Sequence, residues 1–103
     1  MDGQMKKGVL ELCILSQIKQ KEMYGYELMQ LVTRAFTDVH EATVYTILRR
    51  LHSDGYTETY YGTVSGGPQR KYYRITTEGQ QRLHALQNEW RQIQTAVKTL
   101  GVE

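Results

Sequence analysis

Cysteine occurs once, as Cys13, in 103 residues, so no internal disulfide can form and a soluble, cytoplasmic protein of a reducing compartment is expected. Proline also occurs once, and with 40% hydrophobic and 23% charged residues the composition fits neither a disordered tail nor a low-complexity linker. Apolar runs are short, Cys13 to Leu15 being an example, whereas a membrane span needs about 18 residues or more. The first residues include Asp2, Lys6 and Lys7 but no apolar core or small-residue cleavage site, so no secretory signal is expected. Catalytic patterns are lacking too: there is no phosphate-binding glycine motif, no HExxH and no nucleophile elbow. His40, His52 and His84 stand too far apart for paired metal ligands, and Cys13 lies among Leu12, Ile14 and Leu15 as a small hydrophobe would. No metal site, no cofactor and no enzymatic activity are therefore expected. What remains is a single domain with a modest core.

Charge of either sign is scarce in net terms, at +2 for the whole chain, but it is unevenly placed. Residues 1–40 and 77–103 each balance, whereas residues 41–76 carry Arg49, Arg50, Arg70, Lys71 and Arg74 against Glu41, Asp54 and Glu58. The whole excess lies in the middle third, where a polyanion would be met.

Between Lys6 and about Gln20, Val9, Leu10, Leu12, Cys13, Ile14, Leu15 and Ile18 point almost all the way round a helix, which must then be covered on all sides. One side suits the domain's own core, and the other calls for a second subunit. A second helix is predicted from about Gly25 to Phe36, with Leu28, Met29, Leu31, Val32 and Phe36 on one broad face. A third carries Val44, Ile47, Leu48 and Leu51 at i, i+3, i+4, i+7 and stops at Asp54 and Gly55, glycine being able to take the left-handed conformation after a helix. Residues 56–62 and 70–76 are rich in Tyr, Thr and Ile and flank Ser65, Gly66, Gly67 and Pro68, which reads as a β-hairpin with a long tip. Tyr72 and Tyr73 then face opposite ways, one to the core, and Arg74 pairs with Glu58 across the hairpin. Thr77 with Gln80 looks like a capping box opening a long helix to about Leu100.

On that last helix Leu83, Leu86, Trp90, Ile93, Val97 and Leu100 are spaced 3, 4, 3, 4, 3 with polar or small residues between. Such alternation makes the narrow seam of a coiled coil and predicts a dimer interface formed by these six residues. The alternative is an amphipathic helix folded back on its own domain.

Three helices followed by a hairpin is the order of a winged helix, whose third helix enters the DNA major groove while the hairpin reaches flanking backbone. The fold expected is mainly α with a small β-hairpin: a winged helix-turn-helix domain over residues 1–76 and a C-terminal dimerisation helix over 77–103, as one compact unit. Turning Val44, Ile47, Leu48 and Leu51 inward leaves Ala42, Tyr45, Thr46, Arg49, Arg50 and Ser53 outward. Thr43, Tyr45 and Thr46 suit phosphate oxygens or base edges, and Arg49 and Arg50 supply counterion-releasing charge. In the hairpin, Gly66 and Gly67 permit a tight turn and close approach, with Gln69, Arg70 and Lys71 following. The candidate DNA contacts are thus Ala42, Thr43, Tyr45, Thr46, Arg49, Arg50, Gly67, Gln69, Arg70 and Lys71. A solvated basic helix face is the plainer alternative for the arginines.

The segments YGYEL at 24–28, EATVYTILRRLHSDGY at 41–56 and GGPQRKYYRIT at 66–76 closely resemble the PadR family of bacterial transcriptional regulators over nearly the whole chain. The single final helix is similar to that of the short subfamily that dimerises through it. The resemblance implies a homodimeric winged-helix repressor, an inverted-repeat operator in double-stranded DNA, and release by a small, commonly aromatic effector. It places Thr43, Tyr45, Thr46 and Arg49 on the recognition helix and Gly67, Arg70 and Lys71 on the wing. The sequence departs from the commonest family pattern at His40, where a small polar cap is usual, and at Gln69, where a basic residue is frequent.

Trp90 is either a seam residue filling the dimer contact or, with its twofold mate, one wall of a gap in which a planar aromatic ligand stacks. Gln94 lies one turn on and Glu89 is turned about 100° away, so the seam holds no carboxylate to select cations. A winged-helix module that binds a protein through its tyrosine-rich hairpin, without sequence-specific DNA binding, is the rival reading, and a dimeric ligand carrier is a third that the basic middle segment disfavours.

Overall fold

The computed structural model describes residues 3–63 and 67–103. Seven elements follow in order: α1 (Gly3–Gln20), β1 (Met23–Tyr24), α2 (Gly25–Ala35), α3 (Glu41–Ser53), β2 (Thr57–Thr63), β3 (Gln69–Ile75) and α4 (Thr77–Thr99). Among the described residues no helix is long and apolar enough to cross a membrane.

α1 is the middle of the molecule because its side chains leave it no other place. Leu10, Ile14 and Leu15 are wholly buried and Ile18 nearly so, and α2, α3, α4 and β3 all pack against this helix. The remaining apolar positions, Val9, Leu12 and Cys13, are only half-buried, so the chain by itself covers one side of α1 well and the other incompletely. Burial pushes the Cys13 thiol above its ordinary value, in keeping with a small hydrophobe rather than a nucleophile.

The expected hairpin supplies the central and one edge strand of a three-stranded antiparallel sheet in the order β1-β3-β2. Two residues, Met23 and Tyr24, form the third strand by pairing with Tyr73 and Tyr72, a segment too short to show any period of its own in the sequence. β2 and β3 pair from Thr57 opposite Ile75 to Thr63 opposite Gln69. Alternation then puts Met23 and Tyr73 on the buried face, while Tyr24, Tyr60 and Tyr72 share the outer one. There Tyr72 stacks on Tyr60 at 5.4 Å and meets Tyr24 edge-on at 5.6 Å. Arg74 lies 4.6 Å over the Tyr60 ring and bonds both Glu58, as expected, and Glu22. The sheet's solvent face is thereby held by side chains of β1, β2 and β3 together.

α3 ends in a Schellman turn: the Tyr56 amide donates to the Leu51 carbonyl at 2.9 Å and the Gly55 amide to His52 at 3.1 Å, with Gly55 at φ 81°. α4 starts one residue earlier than the capping box at Thr77 and Gln80 predicts. Thr76 is the N-cap; its hydroxyl accepts from the Gly79 amide at 3.0 Å and donates to the Gly55 carbonyl at 2.7 Å. Position N3 is thus Gly79, and there is no reciprocal Gln bond. The correction has a packing cause: α4 crosses so close to Tyr56 that a Cβ on Gly79 would sit 2.0 Å from the Tyr56 carbonyl oxygen, and only glycine fits there.

α4 divides into two halves. Leu83 and Leu86 are buried in the domain core, and every residue from Asn88 onward is exposed. A radius of gyration of 14.9 Å and extents of 53 × 30 × 22 Å follow from this projecting helix, since a spherical domain of this length would have a radius of about 13 Å.

Gly79→Ala is expected to destabilise the fold by about 2 kcal/mol, overpacking against rigid backbone outweighing the roughly 1 kcal/mol by which alanine favours a helix; urea unfolding followed by circular dichroism measures it.

Candidate nucleic-acid interface

The inward face of α3 is fixed by Val44, Ile47, Leu48 and Leu51, all buried, and the rest of the helix follows from that. Its N-cap, His40, makes no side-chain bond to the first turn, consistent with its being an unusual cap. Ala42 and Thr46 are exposed and Thr43 and Tyr45 half-buried along the outer side. The Thr46 hydroxyl donates to the Ala42 carbonyl at 2.9 Å and accepts from Arg49 Nη2 at 3.3 Å, so the guanidinium of this exposed residue lies along its own helix.

Between α3 and the hairpin lies an open cleft of about 510 Å³. α3 contributes Tyr45 and Arg49; the hairpin contributes Tyr61, Gln69, Arg70, Lys71 and Tyr73; the start of α2 contributes Tyr24, Gly25 and Tyr26. Among the described residues, three cations and no carboxylate line it. The α2 start can come this close because residue 25 has no side chain: a Cβ there would meet the Tyr45 ring at 3.2 Å and the Tyr73 ring at 3.6 Å. The wing's cations are steered by rings, Arg70 lying 5.3 Å over Tyr24 and Lys71 5.9 Å over Tyr73.

Burial first, then the nearby Glu41 and Tyr26, push the Tyr45 phenol above its ordinary value. Burial likewise raises Tyr73, helped by Tyr45 and Tyr61 and opposed by Arg49. Both are neutral at physiological pH and keep an O–H to donate.

Five of the ten sequence-selected residues, Tyr45, Arg49, Gln69, Arg70 and Lys71, therefore share one cleft. Ala42, Thr43 and Thr46 lie along the neighbouring face of α3, and Gly67 is exposed beside the hairpin tip; Ser65 and Gly66 fall outside the described residues. Arg50 lies apart from the other basic residues: it is half-buried and its Nη2 bonds Glu11 of α1 at 3.3 Å, and it does not line the cleft. Tyr26 and Tyr61, 50% and 68% exposed, line it without having been singled out. Their signal was available: Tyr26 closes the YGY triplet around Gly25, and Tyr61 stands opposite Lys71 in the strand register.

Away from the cleft, Trp90, Ile93, Val97 and Leu100 on α4 are 40%, 54%, 40% and 82% exposed, and Gln94 is exposed beside them. Leu83 and Leu86, expected in the same seam, instead belong to the chain's own core, so the apolar stripe left uncovered begins at Trp90.

Comparison with known proteins accords with this geometry. Residues 14–85 match the family described as the transcriptional regulator PadR-like family. A PadR-like transcriptional regulator from Bacillus cereus is 41% identical, with a TM-score of 0.86 over 95% of this chain and 96% of that one. A Streptococcus transcriptional regulator is 34% identical, with a TM-score of 0.88 over 96% and 98%. A PadR family transcription regulator from Clostridium difficile is 33% identical, with a TM-score of 0.79 over 88% and 96%. With the winged-helix order of elements, a cationic cleft beside the third helix and a family match across most of its length, the chain belongs to the PadR-like family of transcriptional regulators.

Proposed function

We propose that this chain is a cytoplasmic, homodimeric repressor that binds an inverted-repeat operator in double-stranded DNA and releases it when a small aromatic or hydrophobic effector binds near Trp90. The observation that carries the DNA reading is the cleft whose three cations, Arg49, Arg70 and Lys71, come from two elements and face no carboxylate. Phosphates entering it displace counterions, a gain that depends on charge and not on sequence. The exposed face of α3, with Ala42, Thr43, Tyr45, Thr46 and Arg49, then enters the major groove, where short side chains at the helix start admit close approach to base edges. Gln69, Arg70, Lys71 and Gly67 hold the flanking backbone from the wing. The tyrosine hydroxyls of Tyr26, Tyr45 and Tyr61 add donors for phosphate oxygens.

The dimer reading is supported by the uncovered stripe of Trp90, Ile93, Val97 and Leu100 and by the half-covered side of α1. Four apolar side chains in a row on a projecting helix are too many to leave in water without purpose, and a second copy offers the same stripe. Each 1,000 Å² of apolar surface removed from water contributes about 25 kcal/mol before the costs of association. In such a dimer the two α4 helices set the separation of the two α3 helices. An effector inserted beside Trp90 and Gln94 changes that separation, and half-sites on one face of the duplex no longer match.

Against a fluorescent duplex selected by the protein from a randomised pool, Arg49→Ala is expected to weaken binding by about 1–3 kcal/mol with the dimer intact; unchanged affinity would favour the protein-interaction module instead. Ile93→Asp is expected to shift sedimentation equilibrium from dimer to monomer. Planar aromatic compounds at micromolar concentration are expected to quench or shift the emission of Trp90, the only tryptophan in the chain; an unaltered spectrum would sink the effector site.

A further inference from the structure

Glu11 is the one buried carboxylate among the described residues, at 7% exposure, and its two oxygens are divided between two helices. Oε2 accepts from Arg50 Nη2 of α3 at 3.3 Å, and Oε1 accepts from Arg82 Nε of α4 at 2.8 Å. Both arginines keep more than a third of their side-chain surface in water while the carboxylate keeps 10%, so the cost of desolvation falls on Glu11 and is offset by its two partners. Arg50 precedes the first buried residue of the last α3 turn and follows Arg49 directly; Arg82 directly precedes Leu83, with which α4 enters the core.

The buried side chains that α3 and α4 bring to the core, Leu48, Leu51, Leu83 and Leu86 among them, are apolar, and such packing is non-directional, which tolerates a helix turning by several degrees. Charge-assisted bonds to a fixed carboxylate do not. We infer that Glu11 is a positioning residue for DNA binding: through Arg82 and Arg50 it locks the angle of α3 to that of α4, so that a twist of the projecting helix is passed to the face carrying Arg49. This rests on the DNA reading above and gives it a route from Trp90 to the cleft. If α4 turns, the Arg82 bond at 2.8 Å is the first to lengthen, and the carboxylate left with Arg50 alone draws that side of α3 toward itself.

The test uses Arg82→Gln, a change on α4 at a residue that does not line the cleft and that leaves the Glu11–Arg50 pair in place. Its affinity for the selected duplex is expected to fall several-fold while affinity for a scrambled duplex at the same salt is unchanged. Arg82→Lys, which keeps the charge, should recover most of the loss, and in an Arg50→Gln background Arg82→Gln should have no further effect. Equal losses on both duplexes, no loss at all, or the same added loss with and without Arg50 would each overturn the inference. Arg49→Ala, measured alongside, separates the two ideas. If it weakens binding and Arg82→Gln does not, the coupling alone fails; if Arg49→Ala has no effect, the DNA reading fails and the coupling with it. Where Arg82→Gln proves too unstable to assay, Glu11→Gln is read in its place, because it removes the charge that both arginines share and must lower selective affinity while leaving the scrambled duplex unaffected.

Discussion

Four side chains of α1, Leu10, Ile14, Leu15 and Ile18, have to leave water, and each contributes about 2 kcal/mol by doing so. No single neighbour can cover them. α2 and α3 take one flank, β3 brings Tyr73 and Met23 in register, and the first three turns of α4 close the other with Leu83 and Leu86. The hairpin and α3 are therefore held at a set angle by the same helix, and the cleft between them is a consequence of covering α1.

That arrangement uses up the chain's means of burial. Past Leu86 no described residue of α4 is buried, yet Trp90, Ile93, Val97 and Leu100 continue the apolar stripe at helical spacing. Together with the half-covered flank of α1, this is the surface that the proposed dimer puts to use. The regulatory half of the proposal and the structural oddity of the molecule, a helix standing clear of its domain, are one feature.

Within the cleft, aromatic rings and cations are arranged jointly. Tyr24 and Tyr73 carry Arg70 and Lys71 on their faces, which limits the wandering of two long side chains that would otherwise lose entropy on binding a phosphate. Gly25 matters for the opposite reason: its missing side chain lets the start of α2 approach Tyr45 and Tyr73. Farther along β3, Arg74 is consumed by Glu22 and Glu58. Of the basic residues in the middle third, Arg50 and Arg74 are paired with carboxylates, and Arg49, Arg70 and Lys71 line the cleft.

How much could be read in advance depended on whether the signal was local. The apolar periodicity of α2 and α3, the stop at Gly55 and the tyrosine-rich strands identified the element order and the outward face of α3, because each rests on neighbours three, four or two positions away. The two-residue β1 and the true cap Thr76 were hidden, since one exists only by pairing with Tyr72 and Tyr73 and the other is selected by the crossing of Gly79 over Tyr56. Arg49 and Arg50 show the limit most plainly. On a helical wheel they lie about 150° and 110° from the centre of the buried stripe, and nothing local distinguishes their tasks. Glu11, 39 residues away in sequence, claims Arg50, and Arg49 is left to the cleft. Composition and period determined what kind of fold and which face; which of two adjacent, identical side chains lines the cleft was decided by tertiary structure, because a buried carboxylate takes the cation that packing brings within reach.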